Sequence, residues 1–354
     1  MKGLLTAGGH GTRLRPITHT KNKHLIPIAN RPMLAYAIDY MSEADIIDIG
    51  IIINSGDTEI ESFFGSGKEF GVNITYLEQD SPRGLAHVVK IAEDFIDKDN
   101  FLFYLGDNIL VGGIKKFVKE FTDTDSNCHL VLSRVPDPER FGVPEIQDNK
   151  IISIEEKPSK PKSNFAVTGI YLYDSSIFDA VKQIKPSARG ELEISDAHQY
   201  LIDNGNSITF SEITGWWKDT GKPSDLLEAN RLILENIDGN NSAIIDKKSS
   251  ITGRFVSSNG STIKNTQIRG PVAIGQNVKI ENSYIGPYTS ISDNCSIIGS
   301  EVEYSIIMSG ATICNVQRCI EASLLGNDVK INQSENHPRA HQIMIGDQGR
   351  IDFA

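Results

Sequence analysis

Arg13, Arg15, Lys21 and Lys23 crowd the start of this chain among glycines, with no acid beside them. The first 31 residues hold six basic side chains and no acidic one, although the formal net charge is −11. At their centre lies Gly8-Gly9-His10-Gly11-Thr12-Arg13-Leu14-Arg15-Pro16. Backbone N–H groups of such a turn can donate to phosphate oxygens while Arg and Lys neutralise the charge, so the stretch is suited to holding a polyanion. Two familiar phosphate loops are excluded. No Lys-Ser or Lys-Thr follows a second glycine at P-loop spacing, and Leu14 stands where the dinucleotide fingerprint needs its third glycine.

Phosphoryl chemistry on a polyphosphate also asks for a divalent cation. Asp107 ends the apolar run Phe101-Leu102-Phe103-Tyr104-Leu105-Gly106, and Asp219 sits in Trp216-Trp217-Lys218-Asp219-Thr220-Gly221. Mg²⁺ takes one or two carboxylates together with substrate phosphates and water, which makes this pair a candidate set. Each aspartate alone also suits a turn, and only the fold can join residues so far apart.

The elements that must position these groups have two rhythms. Up to about residue 235, apolar runs at 46–53, 72–77, 101–105, 129–135 and 165–173 alternate with amphipathic stretches such as 32–44 and 84–97. Strand–helix alternation of this kind predicts an α/β domain with a parallel or mixed sheet, its ligands at the carboxyl ends of the strands. A helical segment at 223–236 precedes the linker Asp238-Gly239-Asn240-Asn241-Ser242. Then a period of six begins. Val256, Thr262, Ile268, Ile274 and Ile280 share one phase; Ile285, Ile291 and Ile297 a second; Ile307, Ile313, Cys319, Leu325 and Ile331 a third. That period fits hexapeptide β-helix repeats, whose aliphatic residues stack from coil to coil.

The pattern GGxGTRLxPxT, with Lys23-His24-Leu25-Ile26-Pro27-Ile28 and Arg31-Pro32-Met33 behind it, resembles the signature of the sugar-phosphate nucleotidylyltransferases. The first 235 residues look like the glucose-1-phosphate thymidylyltransferase family, and the hexads make the chain most similar to its long form. This resemblance implies a Rossmann-like mixed-sheet nucleotidyltransferase domain at 1–237, a left-handed parallel β-helix at 244–333 and a tail at 334–354. It implies nucleotide contacts from Thr6, Gly8, Gly9, Gly11, Thr12, Arg13, Gln79 and Gly84, with Gln79 reading the imide edge of thymine or uracil. Thr6 departs from the Leu or Ser usual before Ala-Gly-Gly, and would lie near the base. Leu105, Gly142, Glu156, Lys157, Val167, Tyr171, Arg189 and Glu191 match sugar-phosphate contacts. Arg13, Lys23 and Asp107 match catalytic positions, and Asp107 with Asp219 the Mg²⁺ pair. The expected reaction joins dTTP and glucose 1-phosphate into dTDP-glucose and pyrophosphate for deoxysugar synthesis.

Three other readings share these features: a UTP-using uridylyltransferase, a bifunctional enzyme with an acetyltransferase in the β-helix, and a regulatory subunit without catalysis. An acetyltransferase of this type usually needs a histidine between coils, and 244–333 contains none. Arg13, Lys23, Asp107, Lys157 and Asp219 are all present, which disfavours a lapsed enzyme. A pI near 5.3 argues against nucleic-acid partners. No apolar run approaches a membrane span, and the four cysteines form no CxxC pair, so the expectation is a cytoplasmic enzyme and a homo-oligomer joined through its solenoid.

Overall fold

The five apolar runs become strands of one mixed sheet of seven. The seven are β1 (Lys2–Thr6), β2 (Asp48–Asn54), β3 (Asn73–Gln79), β4 (Phe101–Leu105), β5 (Cys128–Arg134), β6 (Phe165–Tyr173) and β7 (Ile208–Glu212), in the spatial order β7-β5-β6-β4-β1-β2-β3. The computed structural model describes residues 1–333, 341 and 343–352. Residues 334–340, 342, 353 and 354 of the expected tail lie outside them. Two compact units divide the chain: Met1–His10 with Leu34–Asp219, and Gly11–Met33 with Thr220–Ala354. The glycine-rich turn is therefore shared, its first half in one unit and its second half in the other.

In the first unit, β1 runs parallel to β2 and β4, and β3 parallel to β2. Only β6 reverses, lying antiparallel to both β4 and β5. Helices cover the sheet, and the buried core joins Leu4, Ile52, Phe101, Phe103, Leu130 and Tyr171 to Val89, Phe178 and Leu201 from those helices. The expected helix at 84–97 is two pieces, Leu85–Ile91 and Glu93–Ile96, meeting at Ala92. The short ribbon of Asn108–Leu110 with Trp217–Asp219, and that of Gly142–Gln147 with Lys150–Glu156, carry too few alternating residues to declare themselves in sequence.

His129, on β5, is buried between Thr209 and Ser211 of β7, with its ring nitrogens 2.8 Å from each hydroxyl. Burial pushes its pKa down to about 4, although Glu120 pulls it upward. The folded state thus prefers neutral imidazole, while the unfolded chain protonates near 6.5. This contribution is whole above pH 6.5 and is lost as the pH falls toward 4, about 3 kcal/mol in all. A His129→Gln protein should therefore lose less stability over that range than the parent, as the slope of unfolding free energy against pH in urea would reveal. Equal slopes would remove His129 from the acid response.

In the second unit the hexads form a left-handed parallel β-helix of three sheets. Ile263, Ile280, Ile297 and Ile313 stack on one face, Ile268, Ile285, Val302 and Ile320 on the next, and Ile274, Ile291, Ile307 and Leu325 on the third. Three phase assignments are corrected. Ser257, not Val256, is in register with the inward Ile274, while Phe255 packs against the core; Ile263, not Thr262, points into the core; and Cys319 is exposed while its neighbour Ile320 takes the stacking place. The physical cause is the corner. A side of the coil can be one residue short or long: the steps from Ile263 to Ile268 and from Ile280 to Ile285 are five residues, and that from Ile313 to Ile320 is seven. Asparagines accept the left-handed backbone at these corners, and Asn265 donates to Asn282 at 2.8 Å across successive coils.

Helix Pro223–Glu235 lies against this solenoid, with Pro in its first turn and Asn230 fully buried. The Asn230 Oδ1 accepts from Ala29 N–H at 2.8 Å and from Ser290 Oγ at 2.9 Å, and its Nδ2 donates to Tyr288 O at 3.0 Å. Beside it, Asn30 donates to Ile291 O at 2.9 Å and accepts from Ser292 Oγ at 3.2 Å. The segment that follows the glycine turn is thus held by the β-helix itself.

Candidate active site

The first unit brings four strand ends to one edge. Ala7 and Gly8 follow β1, Asn54 closes β2, Gln79 closes β3, and Gly106-Asp107 follow β4. Parallel pairing from Gly3↔Ile49 to Thr6↔Ile52 keeps these carboxyl ends level. A Cβ on Gly8 would stand 3.0 Å from Asn54 Oδ1, so a larger side chain would crowd the turn. Thr6 Oγ1 accepts from Gly106 N–H at 3.1 Å and ties the end of β1 to the turn that carries Asp107.

Asp219 comes beside the turn that carries Asp107 despite their separation in sequence. In the ribbon, Asp219 is the ladder partner of Asn108, the residue after Asp107. Asn108 is buried; its Nδ2 donates to Asp107 Oδ1 at 3.1 Å, and its Oδ1 accepts from Trp217 Nε1 at 2.5 Å. Asp107, in the turn that leads into the ribbon, and Asp219, within it, offer hard oxygen donors suited to a divalent cation that takes its other ligands from phosphate and water. Among the described residues, no group of three or more acidic, histidine or cysteine side chains forms a fuller cage.

Gln79 is buried, and its Nε2 lies 3.0 Å from Nδ1 of His87. Gly84 follows at φ 97°, a conformation closed to other residues, and a Cβ there would stand 2.4 Å from Leu192 O. Backbone bonds from Leu192 N–H to Arg83 O at 2.8 Å and from Ala86 N–H to Leu192 O at 3.1 Å bind this loop to the segment containing Arg189 and Glu191. Gly84→Ala should meet both positive-φ strain, about 1–3 kcal/mol, and backbone collision. We expect a lower Tm and at least about a tenfold loss in nucleotide affinity, read as KM. Parent values for both would contradict this account of the turn.

The other expected side chains gather around Glu156. Gly142 is its ladder partner, and a Cβ at 142 would collide with Ser195 Oγ at 2.7 Å. Glu156 accepts from Ser195 Oγ at 2.7 Å and from Arg189 Nη2 at 3.4 Å, with Lys157 Nζ at 3.5 Å. Partial burial opposes the charge on Arg189, but Glu193, Glu191 and Glu156 outweigh it and raise the pKa. Leu105 and Val167 flank the same edge. Gly169, in the bulged part of β6, lets that strand approach, since a Cβ would stand 2.7 Å from Leu105 Cβ. Tyr171 is buried in an aromatic stack with Phe103 and His198, its hydroxyl pKa driven far up by burial, with Glu156 and Asp107 adding to it. Asn108, Trp217, Ser195, Glu193 and Gly169 were not singled out as site residues from sequence. They act through neighbours, and only the Trp-Trp-Lys-Asp motif hinted at one of them.

The remaining candidates belong to the second unit. Gly11, at φ 58°, begins the turn Thr12–Leu14; its carbonyl accepts from Thr18 Oγ1 at 2.7 Å, and a Cβ there would crowd Lys23 Cβ at 3.0 Å. Thr12 and Arg13 are exposed, and Nη2 of Arg13 lies 3.0 Å from where a Gly221 Cβ would be. Lys23 opens a further turn, capped by Asn22, whose Oδ1 accepts from His24 N–H at 3.0 Å.

A mixed sheet with a glycine turn after its first strand and paired aspartates at its carboxyl edge defines a nucleotidyl transferase; the model of that family matches residues 2–236, and the chain belongs to it. Its relatives are more particular. A glucose-1-phosphate thymidylyltransferase of Streptomyces griseus is 45% identical over 355 residues, covering 100% of both chains. A low-salt glycan biosynthesis nucleotidyltransferase of Haloferax volcanii is 39% identical, with 99% of each chain covered. A solved Bacillus anthracis structure, presented as a glucose-1-phosphate thymidylyltransferase in complex with sucrose, is 47% identical with a TM-score of 0.64, covering 68% of this chain and 98% of its own. No helix among the described residues is long and apolar enough to cross a membrane.

Proposed function

We propose that this protein is a glucose-1-phosphate thymidylyltransferase, forming dTDP-glucose and pyrophosphate from dTTP and glucose 1-phosphate. The observation that supports the reading is the register of Asp219 against Asn108, the residue that follows Asp107 after the end of β4. A phosphate oxygen of glucose 1-phosphate attacks the α-phosphorus in line, the bond to the β-phosphate bridge breaks, and pyrophosphate departs. The nucleophile is already anionic near neutral pH, so the protein's task is positioning and charge neutralisation rather than proton abstraction.

Gly8, Gly9, Gly11, Thr12 and Arg13 line the triphosphate in this reading, Thr6, Gln79 and Gly84 receive the base, and Lys23 with Arg13 stabilises the leaving pyrophosphate. Lys157 and Arg189 take the sugar phosphate; Gly142, Glu156 and Glu191 take sugar hydroxyls; Leu105, Val167 and Tyr171 shape the wall. Asp107 and Asp219 would hold Mg²⁺, which when bound neutralises phosphate charge. By function the chain divides into a transferase half at 1–237, a stacking or oligomerisation repeat at 244–333 and a tail at 334–354. Its substrates belong to the cytoplasm, where we place it.

Phosphorus NMR of dTTP, glucose 1-phosphate and Mg²⁺ with the enzyme tests the reaction. We expect the diphosphate doublets of a nucleotide sugar to rise with pyrophosphate, and a chelator to stop both. Pyrophosphate without a nucleotide sugar would mean hydrolysis and would defeat the proposal.

A further inference from the structure

A glutamine amide can bind an imide in only one of its two orientations, so something must hold Gln79 the right way round. Resting on the assignment of Gln79 to the base, we propose that His87 is the specificity-determining positioning residue that sets this orientation. Its Nδ1 lies 3.0 Å from Gln79 Nε2. With the amide nitrogen turned to the ring, Nδ1 is the acceptor and the imidazole proton sits on its Nε2. One N–H of the amide is spent on His87. The other N–H, on the same side as Oε1, is left with Oε1 to read the base.

That pair complements thymine or uracil, whose N3–H donor is flanked by carbonyl acceptors. It opposes cytosine, whose N3 is itself an acceptor and would face Oε1 lone pair to lone pair. Turned over, the same amide would match cytosine, with Nε2–H toward N3 and Oε1 toward the N4 amino group. The direction of one hydrogen bond from His87 therefore separates two classes of pyrimidine.

The site holds the ring for this task. His87 stands in the first turn of helix Leu85–Ile91, half-buried, and that helix packs against β3, which ends in Gln79. The charged groups acting on it are Arg83 and Asp80 from the loop and Lys90 from its own helix. Burial, then Arg83 and Lys90, lower its pKa, while Asp80 raises it, and the net result favours the neutral ring. Protonation would turn Nδ1 from acceptor into donor and reverse the preference of the amide.

Two substitutions separate donor from acceptor. His87→Glu offers only acceptors and should keep the ratio of kcat/KM for dTTP over dCTP within about threefold of the parent. His87→Lys offers only donors and should lower that ratio at least about tenfold, through KM more than kcat. In the parent the ratio should also fall from about pH 8 to about pH 5, and in His87→Glu it should not. This pH series decides the matter should the lysine variant fail to fold. Unchanged selectivity in His87→Lys, or a parent ratio independent of pH, would overturn the proposal. Gln79→Leu distinguishes the two layers: lost selectivity there with an inert His87→Lys removes His87 alone, whereas retained selectivity in Gln79→Leu removes the base-reading role of Gln79 and the proposal together.

Discussion

Arg13→Ala should lower kcat for nucleotidyl transfer about 10²–10³-fold, the usual consequence of removing one donor aimed at developing negative charge. Arg13 lies in a stretch of 31 residues without a single acid. The left-handed Gly11 turns the chain so that Thr12–Leu14 forms a single helical turn, with Leu14 buried and Arg13 exposed. Gly221 leaves room for the guanidinium, which a side chain there would displace. An exposed arginine contributes little to folding, so the loss should appear in kcat while Tm stays near the parent value. Arg13→Lys should recover part of the rate as a point charge without the planar fork. A rate for Arg13→Ala within about threefold of the parent would remove this residue from the transition-state account.

Asn230→Ala should cost about 3 kcal/mol, large for a single uncharged side chain. Three bonds vanish together: those from Ala29 N–H and Ser290 Oγ to Oδ1, and that from Nδ2 to Tyr288 O. Each buried group left without its partner forfeits roughly 1–3 kcal/mol, and partial relaxation brings the sum below simple addition. The effect should reach beyond stability. Ala29, at φ 48°, belongs to the segment that begins at Gly11 and carries Arg13 and Lys23, so loosening it should also raise KM for the nucleotide. Chemical unfolding monitored by fluorescence measures the first effect and steady-state kinetics the second. A loss under about 1 kcal/mol would mean that water replaces the amide, and the β-helix would then not anchor this segment through Asn230.

These contacts also show where sequence reading succeeds and where it stops. Strands such as Phe101–Leu105 and Phe165–Tyr173 stand out because a doubly covered strand is apolar along its whole length. The six-residue period was legible for the same reason, since every coil buries an aliphatic side chain. Its slips at Val256, Thr262 and Cys319 were not, because a corner one residue shorter or longer than the period moves the inward position by one residue. Of the site, the residues with charge or glycine were visible: Arg13, Lys23, Gly84, Asp107, Glu156, Lys157 and Asp219. Asn108 and Ser195 were hidden because their work lies in holding Asp107 and Glu156, and an Asn or Ser in a sequence carries no sign of what it holds. Sequence also placed the end of the transferase half near residue 237. Contacts group Gly11–Met33 and helix Pro223–Glu235 with the solenoid, because Asn30 and Asn230 find their partners there. A chain cut near residue 240 would strip those partners away, so oligomeric state is better measured on the intact protein.

The most direct test of the central claim is the rate of pyrophosphate release with Mg²⁺ for four pairs: dTTP or UTP, each with glucose 1-phosphate or galactose 1-phosphate. The thymidylyltransferase reading predicts that dTTP with glucose 1-phosphate exceeds the other three by at least about tenfold in kcat/KM. A preference for UTP would contradict the nucleotide assignment, and absence of release from every pair would contradict the activity itself.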